Sequence, residues 1–157
     1  QIWNGFEGTQ IKIIKLRTMI TNAEKNGAQW AAKYDKRITK IGTILRKLRI
    51  DELPQLLLVL SGEMSLIGPR PERPKIDDIL RKKLPNYDLR YSIKPGISGW
   101  AQVNYPYGAS IEDAKLKLSY DLYYIKNFSI LLDFMIFFKT LKLVLNGKGA
   151  TPIKKKS

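Results

Sequence analysis

Apolar residues recur at helical spacing along much of this chain. Leu53, Leu56, Leu57 and Leu60 fall at i, i+3, i+4 and i+7, which predicts a helix beginning at the adjacent acids Asp51 and Glu52. Asp51 is then expected at or near the N-cap, with Pro54 in the first turn, where its missing N–H costs nothing. Just upstream, Ile41, Ile44, Leu45 and Leu48 mark a second helix. Ser110 followed by Asp113 is a helix-start signature, and Ile111, Ala114, Leu118, Leu122 and Ile125 carry the stripe behind it. Alternation is rarer: Ile11 and Ile13 flank Lys12, predicting a strand over 10–17 whose phase slips at Ile14. Gly62 is a C-cap candidate, residues 64–67 form a short extended piece, and the Gly-Pro-Arg-Pro run at 68–71 predicts a rigid turn. A short charged helix over 74–84 ends at Pro85. These patterns predict a helix-rich α+β fold, a small β-sheet with surrounding amphipathic helices.

Two stretches carry no clear period. Residues 20–36 read as a polar excursion whose compact apolar cluster is Trp30, Ala31 and Ala32. Residues 90–103 are rich in Pro and Gly, and their aromatic and cationic side chains are not all expected to be buried, so they read as a shaped loop. Trp100 within it suits a core anchor or a membrane interface.

Residues 128–145 are the most apolar segment, but Asp133, Lys139, Thr140 and Lys142 interrupt it, so it falls short of the ~20 apolar residues that span a bilayer. It suits either a core helix or one lying in the membrane interface. In the second case Lys148 and Lys154 to Lys156 would each favour anionic lipid by about 1 kcal/mol when close to the surface.

Composition narrows the chemistry. The 157 residues suit one domain, 1–157, large enough to bury about two-thirds of its unfolded surface. Lys plus Arg number 28 against 14 Asp plus Glu, a net charge of +14, which attracts nucleic acid, anionic lipid headgroups or phosphorylated small molecules. The absence of cysteine removes disulfides and thiolate chemistry, and the absence of histidine removes imidazole catalysis. Carboxylates remain as the natural bases, nucleophiles and hard-metal ligands. The chain opens on Gln1, without a signal peptide or long apolar span, and reads as a piece whose N-terminal part lies elsewhere.

Asp51 and Glu52 stand among cations: Arg37, Lys40, Arg46, Lys47 and Arg49 precede them. A helix N-terminus favours ionised carboxylates and leaves N–H groups free to meet an anion. Acids in a cationic surround suit phosphoryl transfer, which needs a nucleophile, a divalent cation and Arg or Lys to take up charge. The plainer reading keeps Asp51 as a helix cap and the cations as a solvated face. Arg70, in the rigid turn, reads equally as a held cation or as an exposed loop arginine.

Taken together, several stretches resemble one family, the bacterial sugar transferases that act on polyprenyl phosphate, the monotopic phosphoglycosyl transferases. They are K-L-R-T-M at 15–19, L-R-K-L-R-I-D-E-L-P-Q-L at 45–56, G-E-M-S-L-I-G-P-R-P at 62–71, K-P-G-I-S-G-W-A-Q-V-N at 94–104 and Y-D-L-Y-Y-I-K-N at 120–127. Their order and spacing cover nearly all of 11–145, and P-Y-G-A-S-I-E-D-A at 106–114 resembles the branch associated with exopolysaccharide assembly.

The resemblance implies transfer of a sugar-1-phosphate from a UDP-sugar to a membrane-held polyprenyl phosphate such as undecaprenyl phosphate, with Mg²⁺ as cofactor and UMP released. It implies Asp51 as nucleophile, forming an aspartyl phosphosugar intermediate, with Glu52 helping Asp51 to hold the metal. Lys15, Arg46 and Arg70 match cationic positions in the family's motifs; Arg49, Lys94 and Gln102 are further candidates for contacts to phosphate or base. The implied setting is the cytoplasmic face of the bacterial inner membrane, with some helices lying on an anionic membrane surface. Oligomeric state is left open.

The chain departs from the family's pattern in lacking the N-terminal membrane re-entrant helix, in Leu58 and Glu63 where Asn and Asp are frequent, and in Tyr105 and Pro106 where Gly-Arg is common. The competing reading is a non-catalytic basic module that binds anionic membrane or nucleic acid through charge, although no nucleic-acid motif is recognisable and no nucleic acid is expected as partner.

Overall fold

The computed structural model describes residues 1–23, 25, 35–105 and 110–147. Two short strands, β1 (Ile2–Asn4) and β2 (Gln10–Lys12), pair antiparallel, with Trp3 opposite Ile11. Alternation holds for Ile11 and Ile13 only, and the ladder stops at Lys12, so the strand expected over 10–17 is shorter than its pattern implied. The chain beyond it stays tied to the fold by a reciprocal pair, Ile13 N–H to Gln1 O and the Gln1 ammonium to Ile13 O, and by Leu16 N–H to Asp51 O. The expected cluster at Trp30, Ala31 and Ala32 lies outside the described residues, as do the lysines of the tail.

Helix α1 (Lys40–Lys47) is capped by the Thr39 side chain, which accepts from Gly42 N–H, and Gly42 packs so tightly that a Cβ there would lie 2.0 Å from Thr18 O. After it, Arg49 adopts the left-handed region (φ 57°) and starts a 3-10 turn, Ile50–Gln55, which runs into the short helix α2 (Leu56–Leu60). The cap position therefore belongs to Arg49, and Asp51 sits in the first turn instead. The reason is local: the left-handed residue ends one helix and restarts the next within a few residues. Gly62 follows α2 at φ 81°, as a helix-terminating glycine does.

Strand β3 (Ser65–Ile67) pairs in parallel with β4 (Gly96–Ser98). Among the described residues the β content is thus two separate two-stranded pieces. The β3 and β4 ends meet backbone to backbone, since a Cβ on Gly96 would stand 2.1 Å from Gly68 N. Between them lies α3 (Pro74–Lys83), with Pro74 in its first turn, and a 3-10 turn, Tyr87–Ser92. The stretch read as a shaped loop over 90–103 is more regular than expected. It contains β4 and helix α4 (Trp100–Asn104), and both Arg90 and Tyr91 are buried because the 3-10 turn inserts them against α3 and α5.

Helix α5 (Ile111–Asn127) starts in a full capping box between Ser110 and Asp113. Helix α6 (Ile130–Leu145) is capped by Ser129. Among the described residues the core is three small clusters: Trp3, Ile11, Ile13, Leu58 and Met64; Leu80, Leu84, Tyr87, Tyr91 and Leu118; and Tyr124, Leu132 and Ile136. Many apolar helix positions stay outside them. Leu53, Leu57 and Leu60 are 55%, 60% and 83% exposed while Leu58 is buried, so the leucine stripe that marked the helix faces out. Ile41 and Ile44 of α1 and most apolar positions of α6 do the same. No helix among the described residues is long and apolar enough to cross a membrane.

Candidate active site

The 3-10 turn puts Asp51 and Glu52 side by side, and both are buried. Glu52 is held by three cations from three parts of the chain. Lys15 Nζ donates to its Oε1 at 3.4 Å, Arg49 Nη1 to its Oε2 at 3.0 Å, and Arg70 to both oxygens through Nη1 and Nη2. Burial pushes the Glu52 carboxyl upward, but Arg70, Lys15 and Arg49 outweigh it and hold it well below the usual carboxylate range.

Asp51 meets a different balance in the same turn. Its Oδ1 is buried with no hydrogen-bond partner among the described residues. Burial and the neighbouring Glu52 charge raise its pKa, against the pull of Lys15, Arg46 and Arg49. A bare, partly desolvated oxygen facing cations is the state a nucleophilic carboxylate needs. Its backbone is fixed as well, because Asp51 O accepts from Leu16 N–H and so ties the turn to the segment that carries Lys15. Burial, with Arg70 nearby, brings the Lys15 ammonium down to about 8 in spite of its bond to Glu52.

A family described as bacterial sugar transferase matches residues 1–147. The chain belongs to that family. Among its relatives, the UDP-N-acetylgalactosamine-undecaprenyl-phosphate N-acetylgalactosaminephosphotransferase of Aeromonas hydrophila is 51% identical over 139 residues, 88% of this chain and 33% of that protein. The UDP-glucose:undecaprenyl-phosphate glucose-1-phosphate transferase of Escherichia coli (strain K12) is 38% identical over 139 residues, 87% of this chain and 30% of that protein. The uncharacterized sugar transferase EpsL of Bacillus subtilis (strain 168) is 39% identical over 153 residues, 95% of this chain and 70% of that protein. The chain thus spans about a third of the first two relatives.

Of the residues singled out in this family member's sequence, Lys15, Arg49, Arg70, Asp51 and Glu52 come together. Arg46 stands close behind Asp51 and donates through Nε to Thr18 Oγ1 at 2.8 Å, which fixes its head. Lys94 and Gln102 are elsewhere. Lys94 is exposed, with its ammonium beside Gly62, and Gln102 Nε2 donates to Ile97 O while its buried Oε1 has no partner among the described residues.

The structure adds residues the sequence did not single out. Arg90, buried, donates to the backbone O of Arg70, to Tyr87 Oη and to Asp121 Oδ2, so it anchors the turn that carries Arg70. Asp121 on α5 is the buried counter-ion, pushed up to about 6 by burial against the opposing charge of Arg90. Trp3 lies under the cation group, with Lys15 Nζ 4.6 Å from its ring centroid. The matching of the stretches at 62–71 and 120–127 pointed to these elements, but not to a contact between them.

No group of three or more His, Cys, Asp or Glu able to hold a metal occurs among the described residues. Mg²⁺ characteristically takes one or two carboxylates and completes its shell with water and substrate phosphate, so a single well-placed carboxylate can suffice. The partnerless Oδ1 of Asp51 fits that role. Both oxygens of Glu52 already face cations, so Glu52 fits less well as a direct ligand than as the anchor of those cations.

Proposed function

We propose that this chain is the catalytic domain of a phosphoglycosyl transferase. It moves a sugar-1-phosphate from a UDP-sugar to a polyprenyl phosphate such as undecaprenyl phosphate, at the cytoplasmic face of the bacterial inner membrane, in exopolysaccharide or other glycoconjugate assembly. The observation that carries the reading is the contrast inside the dyad: one carboxylate clamped by Lys15, Arg49 and Arg70, and its neighbour left with a buried, unpartnered oxygen. The named relatives supply the substrate class, since two carry undecaprenyl-phosphate sugar phosphotransferase names.

In this mechanism Asp51, ionised, forms a bond from a carboxylate oxygen to the sugar-bearing phosphorus. The bond from that phosphorus to the bridging oxygen breaks, and UMP leaves with its electron pair. A phosphate oxygen of the lipid then attacks the aspartyl phosphosugar, which frees the Asp51 carboxylate and yields a lipid diphosphate sugar. Arg46, Arg70 and Lys15 lower the repulsion between a carboxylate and an anionic phosphate by taking up charge on the non-bridging oxygens. Bound Mg²⁺, held by Asp51, would supply further charge neutralisation on the diphosphate.

The exposed apolar faces support a membrane setting. Leu53, two residues after Asp51, begins the outward stripe that continues through Leu57 and Leu60, and α6 exposes Ile130, Leu131, Phe134 and Phe138. Apolar patches of this extent are characteristic of interaction surfaces, and with a net charge of +14 an anionic lipid surface is the complementary partner.

The test is release of UMP from a panel of UDP-sugars in the presence of Mg²⁺ and vesicle-borne undecaprenyl phosphate. Mass spectrometry after incubation with donor alone is expected to find a phosphosugar adduct on the Asp51 peptide. Turnover with only unmodified peptide, under a quench that preserves acyl phosphates, would count against the two-step scheme.

A further inference from the structure

Among the described residues, Trp3 is the aromatic ring on which the site's cations converge. Lys15 Nζ lies 4.6 Å from the ring centroid, and the guanidinium carbons of Arg70 and Arg73 each lie 5.9 Å from it. Lys15 and Arg70 are also two of the three cations on Glu52. Gathering like charges this closely costs repulsion, which the carboxylates of Glu52, Asp51 and Glu72 offset only in part. A further acid would lower that repulsion but would cancel the field an anionic substrate needs. An aromatic face attracts cations through its quadrupole and adds no net charge.

The indole's packing supports the same point. Trp3 is buried, its position set by Ile11, Ile13, Leu58 and Met64, and its Nε1 has no hydrogen-bond partner among the described residues. A buried N–H left unsatisfied is unfavourable, and phenylalanine would fill an apolar niche without one. What tryptophan offers in exchange is the strongest ring face available for cations.

We propose that Trp3 is a positioning residue of this site, an aromatic platform that holds Lys15, Arg70 and Arg73 together where a substrate diphosphate is received. This deepens the transfer reading and rests on it, because it supposes that the cation group meets a diphosphate. Nothing in the platform touches the reacting atoms. Its effect is to keep the cations ordered before substrate arrives, so it should appear in anion affinity and in KM more than in kcat.

The experiment replaces Trp3 in the full chain with singly, doubly and triply fluorinated tryptophan, which withdraws electron density from the ring face while nearly preserving its shape. Affinity for inorganic pyrophosphate is read by titration calorimetry. The expected result is a stepwise loss reaching roughly 3- to 10-fold at the most fluorinated ring. The same series at Trp100, whose ring carries Lys139 at 4.4 Å, is expected to leave affinity unchanged. As a second arm, Trp3→Leu is expected to weaken pyrophosphate binding and to raise KM, and Trp3→Phe to restore most of both. A flat series at Trp3, equal loss at Trp100, failure of Trp3→Phe to improve on Trp3→Leu, or no pyrophosphate binding by the unsubstituted protein would each overturn the proposal. The two readings fail separately: a flat series with normal UMP release removes the platform alone, whereas a graded series without UMP release removes the transfer reading and leaves an ordered anion site.

Discussion

The turn that holds Asp51 and Glu52 and the helix α6 depart from ordinary burial in opposite directions. In the turn, charge is inside: both carboxylates are buried, and the cations that face Glu52 expose only about a quarter of their side chains. On α6 the apolar side is outside, with Leu132 and Ile136 buried and Ile130, Leu131, Phe134 and Phe138 open to solvent. A buried charge is tolerated only where partners compensate its desolvation, and an exposed apolar stripe persists only where something else covers it in use. The first region therefore points to a polar ligand and the second to an apolar surface. A lipid that carries a phosphate presents both.

The largest effect is expected from the unpartnered half of the turn. Asp51→Asn keeps shape and volume and removes the nucleophile, so UMP release should fall on the order of 10⁴-fold or more. The melting curve should be unchanged or slightly improved, because no hydrogen bond to Oδ1 is lost and a carboxylate that burial disfavours is removed. Turnover surviving near the unsubstituted rate would end the nucleophile assignment. Glu52→Gln should behave in the reverse way. It leaves Lys15, Arg49 and Arg70 facing one another without their anion, and stability in urea should drop by about 2 kcal/mol, below the usual cost of breaking a buried pair because the cations are partly exposed. Equal stability of the two variants would erase the difference between the carboxylates.

The same two regions mark how far the sequence could be read. Helical stripes at Leu53, Leu56, Leu57 and Leu60, and at Ile111, Ala114 and Leu118, gave helices where helices stand, and the Ser110 capping box formed as its residues require. Periodicity identifies a face but not its neighbour, so the stripe at Leu53 did not reveal that it points away from the core while Leu58 points in. The parallel pairing of β3 with β4 was hidden for a related reason: its two strands are three residues each and about thirty apart, so neither carries an alternation long enough to notice. At the site, the acids and the cations Lys15, Arg49 and Arg70 were legible by type and motif. Arg90 and Trp3 were not, because their roles lie in long-range contacts to Arg70 and Lys15 that no local pattern encodes.

The apolar region can be tested without touching the turn. Phe134 and Phe138 lie one helical turn apart, 57% and 62% exposed. Replacing both by Glu should leave the melting temperature nearly unchanged, since exposed positions contribute little to the core. Binding to anionic vesicles, measured by co-sedimentation, should fall about tenfold or more through lost apolar burial and added like-charge repulsion. Leu132→Glu on the inward side is the contrast: it buries a charge next to Tyr124 and Ile136 and should unfold the protein. Unchanged vesicle binding by the double variant would assign α6 some other cover.

The smallest effect is expected from pH, where the two carboxylates and Lys15 pull apart activity and stability. Burial and Glu52 raise Asp51, so turnover should climb with pH as Asp51 ionises. Burial and Arg70 lower Lys15 from 10.5 to about 8, so turnover should decline again as pH rises through about 8 and the ammonium is lost. Stability should move the other way over that upper range. Between about 8 and 10.5 the unfolded chain holds a proton on Lys15 that the folded chain has released, so the slope of unfolding free energy with pH is positive for this group. Lys15→Arg keeps the charge at every accessible pH and should flatten the alkaline decline in UMP release, with a loss of a fewfold at neutral pH because a planar guanidinium does not match the ammonium's place over Trp3. An alkaline limb that stays at about 8 in Lys15→Arg would move the titration to another group and leave Lys15 as a spectator of the charge it accompanies.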